Sequence, residues 1–284
     1  MQRAIVVGLI GSGIQQSLTP AMHEREGAAH GIAYAYRLID LDVLGLSSAA
    51  LPDLLLAAER MGLDGLNITY PCKQTVIPLL DELSEDARNL GAVNTVVLRD
   101  RRRIGHNTDW WGFAEAFKRE LPSASLGKVV LLGAGGAGSA VAHALLTVGA
   151  QHLIIVEPDR AKAAELESSL ERRFGQGRAS TETADHALPG ADGIVNATPI
   201  GMAKHPGMAL DAALIRSAHW VADVIYFPLE TELLRHARSI GCRTMGGGGM
   251  AVFQAVRAFE LFSGRTADAA RMQHHFRDLC AARQ

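Results

Sequence analysis

The chain has 284 residues, a formal net charge of −2, 48% hydrophobic residues and 20% charged residues. That length suits roughly two domains at about 150 residues each, and the composition excludes disorder, collagen and a coiled coil as descriptions of the whole. The small charge gives no electrostatic footprint for nucleic acid or an acidic membrane. No apolar run approaches the roughly 18 residues of a membrane span, and Met-Gln-Arg leads into strand-like Ile5-Val6-Val7 instead of a signal-peptide core. A soluble, cytoplasmic protein acting on small molecules is expected.

In chain order, residues 5–9 read as a buried-type strand, 20–30 as a helix and 34–39 as a second strand. Residues 51–61 repeat apolar side chains at helical spacing, 65–69 return to strand, and 93–98 form another β-branched run. Such alternation predicts crossover units on a mainly parallel sheet. Arg101-Arg102-Arg103 follows Asp100 between two short β-type stretches and reads as a solvated hairpin turn, not a nucleic-acid patch. A helix is expected over 109–120, capped by Thr108 or Asp109, with Leu121-Pro122-Ser123 as a junction.

A second series follows: strand 128–132, helix 136–148, strand 152–156, helix 159–174, strands 193–196 and 220–223, and helix 231–239. Beyond Gly246 the chain reads as helical to its end and is expected to pack back on the first domain. The fold class is therefore α/β with two domains. Residues 1–108, joined by helices in 250–284, form the first, and 109–249 form the second. Cys72, Cys242 and Cys280 are odd in number and in no CxxC pair, so a reducing compartment is the simplest reading. The eleven histidines lack HExxH or Cys/His ligand spacing, and no metal is expected.

Glycine numbers 29, against about 20 for average usage, and eight of the 29 lie in two runs. The first is Gly133-Ala134-Gly135-Gly136-Ala137-Gly138, a GxGxxG directly after a buried strand and before an alanine-rich helix. Gly133 permits the tight turn, Gly135 lets backbone approach a pyrophosphate, Gly138 permits close helix packing, and the helix N-terminus offers N–H donors. Glu157 stands 19 residues past Gly138 at the end of the next strand, where a carboxylate accepts from an adenosine ribose and repels a 2′-phosphate. That favours NAD over NADP, although Arg160 and Lys162 are placed to reach a phosphate. The second run is Gly246-Gly247-Gly248-Gly249, readable as a flexible joint or as backbone lying against a nicotinamide.

Two segments place polar residues where strands emerge: Asn67-Ile68-Thr69-Tyr70-Pro71-Cys72-Lys73 and Gly105-His106-Asn107-Thr108-Asp109. Alone, Lys73 would be a surface lysine in a first helical turn and Asp109 a helix cap. Together with Ser17-Leu18-Thr19-Pro20, Gly91-Ala92-Val93-Asn94-Thr95 and the glycine loop, they resemble the shikimate dehydrogenase family. Asn196-Ala197-Thr198-Pro199-Ile200-Gly201-Met202, Asp223-Val224-Ile225-Tyr226 and Gly249-Met250-Ala251-Val252-Phe253-Gln254-Ala255 extend the resemblance over nearly the whole chain. Ser17, Thr19 and the acidic Glu157-Pro158-Asp159 are most similar to the NAD-using quinate/shikimate dehydrogenases.

The resemblance implies a substrate domain and a Rossmann domain, with reaction in the cleft between them. It puts a polyol carboxylate on Ser17 and Thr19 with help from Tyr226, and ring hydroxyls on Thr69, Lys73, Asn94, Asp109 and Gln254. Lys73 and Asp109 become the catalytic pair. Thr198, Pro199, Gly201, Met202, Val224 and Gly247 join the glycine loop, Glu157 and Lys162 around the cofactor. The implied reaction is reversible oxidation of shikimate or quinate to its 3-dehydro product. The missing aspartate before the last glycines leaves amino-substituted substrates open, and NADP-dependent biosynthetic shikimate dehydrogenase is the nearest alternative. A non-catalytic sensor on the same fold has no need of Lys73 and Asp109, and a folate-type dehydrogenase leaves the Ser17/Thr19 motif unexplained. Both a monomer and a homodimer are compatible with the sequence. Of Trp110 and Trp111, one ring is expected in the core and the other at the cleft.

Overall fold

A computed structural model describes residues 4–283; the opening Met-Gln-Arg lies outside the described residues. The chain divides into two compact units: everything up to Thr108 together with Val252 onward, and Asp109–Ala251. In the first unit the order is β1 (Ile5–Gly11), α1 (Thr19–Ala29), β2 (Tyr34–Asp40), α2 (Leu41–Leu44), α3 (Leu51–Arg60), β3 (Gly65–Ile68), β4 (Glu82–Leu83), α4 (Glu85–Leu90), β5 (Thr95–Arg99) and β6 (Arg102–His106). The second holds α5 (Asp109–Glu120), β7 (Lys128–Leu132), α6 (Gly136–Thr147), β8 (His152–Val156), α7 (Arg160–Phe174), β9 (Ala179–Thr181), α8 (Ala184–Ala187), β10 (Gly193–Asn196), β11 (Trp220–Asp223), α9 (Glu232–Ser239) and β12 (Arg243–Met245). Helix α10 (Gly247–Ser263) starts in the second unit and runs into the first, which α11 (Ala269–Ala281) completes.

The first sheet has the order β2-β1-β3-β5-β6-β4. Crossovers through α1 and α3 make β1 parallel to β2 and β3, and β4 is parallel to β6. Strand β5 is antiparallel to both β3 and β6. The β5–β6 pairing needs only a tight connection, where a parallel pair needs a crossover of a dozen residues or more. The β5–β6 turn is made by Asp100 and Arg101 at φ 52° and 60°, the left-handed geometry of a two-residue hairpin. Arg103 departs from the solvated reading of its arginine run: its guanidinium grips Glu59 on α3 at 2.7 and 2.8 Å.

Alternation along β1 sends Val7 and Leu9 into one core with Tyr36, Val97, Ala258 and Phe262. Ile10 enters another with Leu51, Leu55, Leu66 and Ile68. Both faces are covered, which is why the strand is apolar throughout. Gly65 lies so close under Phe262 that a Cβ would run into the ring. Helix α11 is tied to α1 by buried Glu26, which accepts from Arg271 at 2.7 and 2.8 Å, from the Asp268 N–H at 2.8 Å, and faces His30 Nε2 at 2.9 Å. The terminal segment is not continuously helical: Gly264 at φ 66° follows α10, and Asp268 caps α11 through the Arg271 N–H.

The second unit is wholly parallel where its pairs are described, in the order β12-β11-β10-β7-β8-β9. Its order reverses at β7, the position where doubly wound sheets open a crevice at the strand C-termini. Val130, Ile154, Ile194 and Val221 fill one face of this sheet against Leu233, Leu234 and Ala237 of α9. Gly193 leaves room for the Trp220 indole, whose Nε1 donates to the Ser125 carbonyl at 2.8 Å.

Candidate active site

In the first unit Ser17, Thr19, Thr69, Lys73 and Asn94 lie in the segments that follow or adjoin the C-terminal ends of β1 and β3. Gly11 ends β1 where a Cβ would overlap the Thr69 methyl and stand 3.0 Å from the Tyr70 carbonyl. The Ser12 N–H then donates to that carbonyl at 2.9 Å, and the Thr69 N–H to the Ile10 carbonyl at 2.9 Å. The following loop is held by Asp40, whose carboxylate accepts from the N–H groups of Gly13 (3.1 Å) and Ile14 (3.0 Å) and from Gln15 Nε2 (3.0 Å). These bonds hold the Asp40 carboxyl below the usual carboxylate range despite its burial. The loop delivers Ser17 and Thr19, both half-buried; Ser17 Oγ accepts from the Thr19 N–H at 3.3 Å.

Lys73 lies in a run of turns, not in a first helical turn. It is half-buried, and its carbonyl accepts from the Val93 N–H at 2.8 Å, which stitches it beside Asn94. Asn94 is 6% exposed. Its Oδ1 accepts the Thr108 N–H at 2.8 Å, and its Nδ2 donates to Thr108 Oγ1 at 3.0 Å. Thr69, Lys73 and Asn94 are thus brought together by backbone bonds within one unit, with Ser17 in the loop that follows β1 and Thr19 at the start of α1. Gln254 is half-buried on α10. Asp109, 3% exposed, opens α5 directly after Thr108. Tyr226 is 41% exposed in the segment after β11. Trp110 and Trp111 are both half-buried, neither being a core ring; Trp110 meets His143 edge-on at 5.2 Å.

The predicted cofactor residues, Lys162 apart, lie in the turns and helix starts that follow strands of the second unit. Gly133 has φ 96°, and Gly138 sits so close to the Gly133 carbonyl that a Cβ would overlap it. Both glycines are structural. Gly135 and Gly136 are exposed, and a Cβ there would meet nothing, so their value is to leave backbone bare at the start of α6, whose first N–H groups have no carbonyl within the helix. Glu157 Oε2 accepts from the Ala134 N–H at 2.8 Å, and Oε1 from the Asp159 N–H at 3.0 Å. The carboxylate therefore stands at the glycine loop. Lys162 is exposed on α7 and pairs with Asp159 at 3.5 Å, the ordinary use of a lysine in a first turn.

Beyond β10, Thr198 Oγ1 donates to Asn196 Oδ1 at 2.7 Å, and Asn196 Nδ2 donates to Asp223 Oδ1 at 3.1 Å and to the Ile200 carbonyl at 3.0 Å. Gly201, at φ 114°, is buried, while Pro199 and Met202 are exposed. Val224 donates its N–H to the Asn196 carbonyl at 3.0 Å. Gly247 begins α10 against this segment: a Cβ would overlap the Val224 carbonyl. The second glycine run is therefore no flexible joint, since three of its members are the first turn of a helix.

Three anchoring residues carry no role in the sequence reading. Asp40 holds the Ser17 loop. Asn196 and Asp223 bind the β10 and β11 ends together, with Thr231 Oγ1 donating to Asp223 Oδ2 at 2.8 Å. Burial pushes the Asp223 carboxyl up. A lone polar residue closing an apolar strand is the signal that marks Asn196 and Asp223; Asp40 ends a strand that also carries Arg37 and has no such mark.

Residues 9–96 match the family described as the shikimate dehydrogenase substrate binding domain. The chain is 58% identical over 274 residues to the shikimate dehydrogenase (NADP(+)) of Streptomyces avermitilis, covering 95% of this chain and 94% of that one. It is also 48% identical over 280 residues to the quinate/shikimate dehydrogenase (NAD(+)) of Corynebacterium efficiens, covering 97% and 99%. The chain belongs to the shikimate dehydrogenase family. Among solved structures, quinate dehydrogenase from Corynebacterium glutamicum in complex with NAD superposes with a TM-score of 0.91 at 48% identity, over 97% of this chain and 99% of that one.

Membership makes the chain an α/β oxidoreductase acting on a CH–OH group with a nicotinamide dinucleotide. The residues fit such a group, because the bare Gly135-Gly136 backbone at the α6 N-terminus is an anion cradle that a side chain would fill. Among the described residues no group of three or more His, Cys, Asp or Glu could hold a metal ion, and no helix is long and apolar enough to cross a membrane.

Proposed function

We propose that this shikimate dehydrogenase family member reversibly oxidises shikimate or quinate to its 3-dehydro product with NAD. The observation that carries the reading is the backbone-bonded grouping of Thr69, Lys73 and Asn94 at one end of the first sheet. Oxidation of a secondary alcohol removes a hydride from carbon and a proton from oxygen. A bound nicotinamide dinucleotide supplies the hydride acceptor, and the proton falls to the protein. Lys73 Nζ takes that proton, and Asp109 orients Lys73 and the reacting hydroxyl. Thr69, Asn94 and Gln254 hold the other ring hydroxyls, and the hydroxyls of Ser17, Thr19 and Tyr226 take the carboxylate.

NAD is favoured by Glu157, whose carboxylate is fixed at the glycine loop by the Ala134 N–H. Gly133 to Gly138, Thr198, Pro199, Gly201, Met202, Val224 and Gly247 line the dinucleotide in this reading. NADP-dependent shikimate dehydrogenase is the second reading, because relatives at 58% and 53% identity carry that name. Steady-state kinetics with NAD and NADP on shikimate and quinate separate the two. A kcat/KM that favours NADP overturns the cofactor assignment. Lys73→Ala and Asp109→Asn should lower kcat by about 10²-fold or more with little change in KM, the scale of general acid–base catalysis. An active Lys73→Ala protein removes Lys73 from its role. The cytoplasm is the proposed compartment, since Cys72, Cys242 and Cys280 are free thiols.

A further inference from the structure

Asn94 is one end of a chain of buried hydrogen bonds that begins on a different strand. Tyr36, on β2 and 5% exposed, bonds Asn67 Oδ1 at 2.7 Å. Asn67 Nδ2 bonds the Asn94 carbonyl at 3.2 Å and Thr95 Oγ1 at 2.9 Å. Thr95 Oγ1 lies 3.0 Å from Asn94 Oδ1, the same oxygen that receives the Thr108 N–H.

The direction of every proton follows from the two backbone members, because a carbonyl only accepts and an amide N–H only donates. The Asn94 carbonyl requires the amino group of Asn67 to face it. That turns Asn67 Oδ1 toward Tyr36 and makes Tyr36 the donor. The Thr108 N–H requires Asn94 Oδ1 to face it. The single proton of Thr95 therefore goes to Asn94, and Thr95 accepts from Asn67. Burial keeps Tyr36 protonated. Turning either amide over would set like groups against each other in the interior, where unpaired polar groups are costly.

We propose that Tyr36, acting through Asn67 and Thr95, is a positioning residue for polyol binding: together with the Thr108 N–H it holds the Asn94 amide in the orientation that meets a ring hydroxyl. This rests on the reading of Asn94 as a ring-hydroxyl binder. Tyr36→Phe keeps the ring and removes the first donor. Asn67 Oδ1 is then left buried without its donor, and the side chain that holds Thr95 against Asn94 Oδ1 loses one of its anchors.

The test is calorimetric binding of shikimate without dinucleotide, together with steady-state kinetics and thermal melting. Tyr36→Phe should raise the shikimate Kd and KM roughly five- to tenfold, the equivalent of one buried hydrogen bond, while the KM for NAD stays at the wild-type value. In an Asn94→Ala background the same substitution should add no further loss. Thr95→Val, which breaks the middle of the chain at constant shape, should reproduce the effect and decides the matter if Tyr36→Phe melts too low to assay. Wild-type shikimate affinity in both single variants overturns the proposal, as does an equal loss with and without Asn94. Wild-type affinity in Asn94→Ala overturns the underlying assignment of Asn94 instead, and the proposal with it.

Discussion

Glu157 shows how a single side chain can serve two ends. It accepts N–H bonds from Ala134 and Asp159, so it braces the glycine loop, and its charge is placed where an adenosine ribose would bind in the proposed function. Glu157→Gln keeps the shape and one of the two acceptor oxygens and removes the charge. The kcat/KM for NAD should fall about tenfold, the scale of a lost charge-assisted bond, and that for NADP should rise. An unchanged ratio between the two cofactors in steady-state assays means that another residue discriminates. The glycines show the same division of labour. The spacing of GxGxxG was legible in the sequence, but not that Gly133 and Gly138 serve the fold while Gly135 and Gly136 leave space, because only the backbone carbonyl of Gly133 and the Ala197–Thr198 segment define what a Cβ would meet.

At the level of elements, the start of α10 is the most demanding joint. Gly247 cannot carry a Cβ without overlapping the Val224 carbonyl, whereas a Cβ at Gly246 would lie 3.6 Å from its nearest neighbours. Gly247→Ala should therefore cost about 1–3 kcal/mol by overpacking and weaken dinucleotide binding in calorimetry. Gly246→Ala should melt near the wild-type temperature, and equal melting of the two variants would refute this close approach. Helices and central strands were readable because their apolar periodicity extends over several residues. Strands β4, β9 and β12 are two or three residues long and lie at sheet edges. Too short to show a period, they exist because a neighbour pairs with them. The same holds for the turns at Lys73, which the Val93 N–H and Cys72 N–H bonds shape.

For the molecule as a whole, the two buried histidines with the largest shifts, one in each unit, dominate the acid limit, and buried His219 is lowered in the same direction. Burial moves His23 from its ordinary 6.5 to about 3, against the opposing charge of Glu26. Burial, aided by the Arg173 charge, moves His143 to about 4. Both are lower folded than unfolded. The unfolded chain therefore takes up protons first, and the stability owed to neutral histidine is complete above 6.5 and lost as pH falls toward the folded values. Each should cost about 2 kcal/mol between about pH 7 and pH 5. Chemical denaturation at the two pH values checks this, and His23→Phe should flatten the dependence. The Asp40 and Glu26 carboxyls are depressed, so their contributions disappear only at still lower pH.

By itself the sequence determined the α/β class, most of the long elements, the dinucleotide loop and the shikimate dehydrogenase resemblance, since these depend on local periodicity and on motifs a few residues long. The tertiary structure decided the rest. It set the antiparallel turn of β5, the engagement of Arg103 by Glu59, the helical start at Gly247, and the bonds that carry Tyr36 to Asn94 through Asn67 and Thr95. Each of these depends on groups far apart in the chain meeting within hydrogen-bond or van der Waals distance. Tyr36 and Asn67 are 31 residues apart, and no short window of sequence contains both the donor and the acceptor.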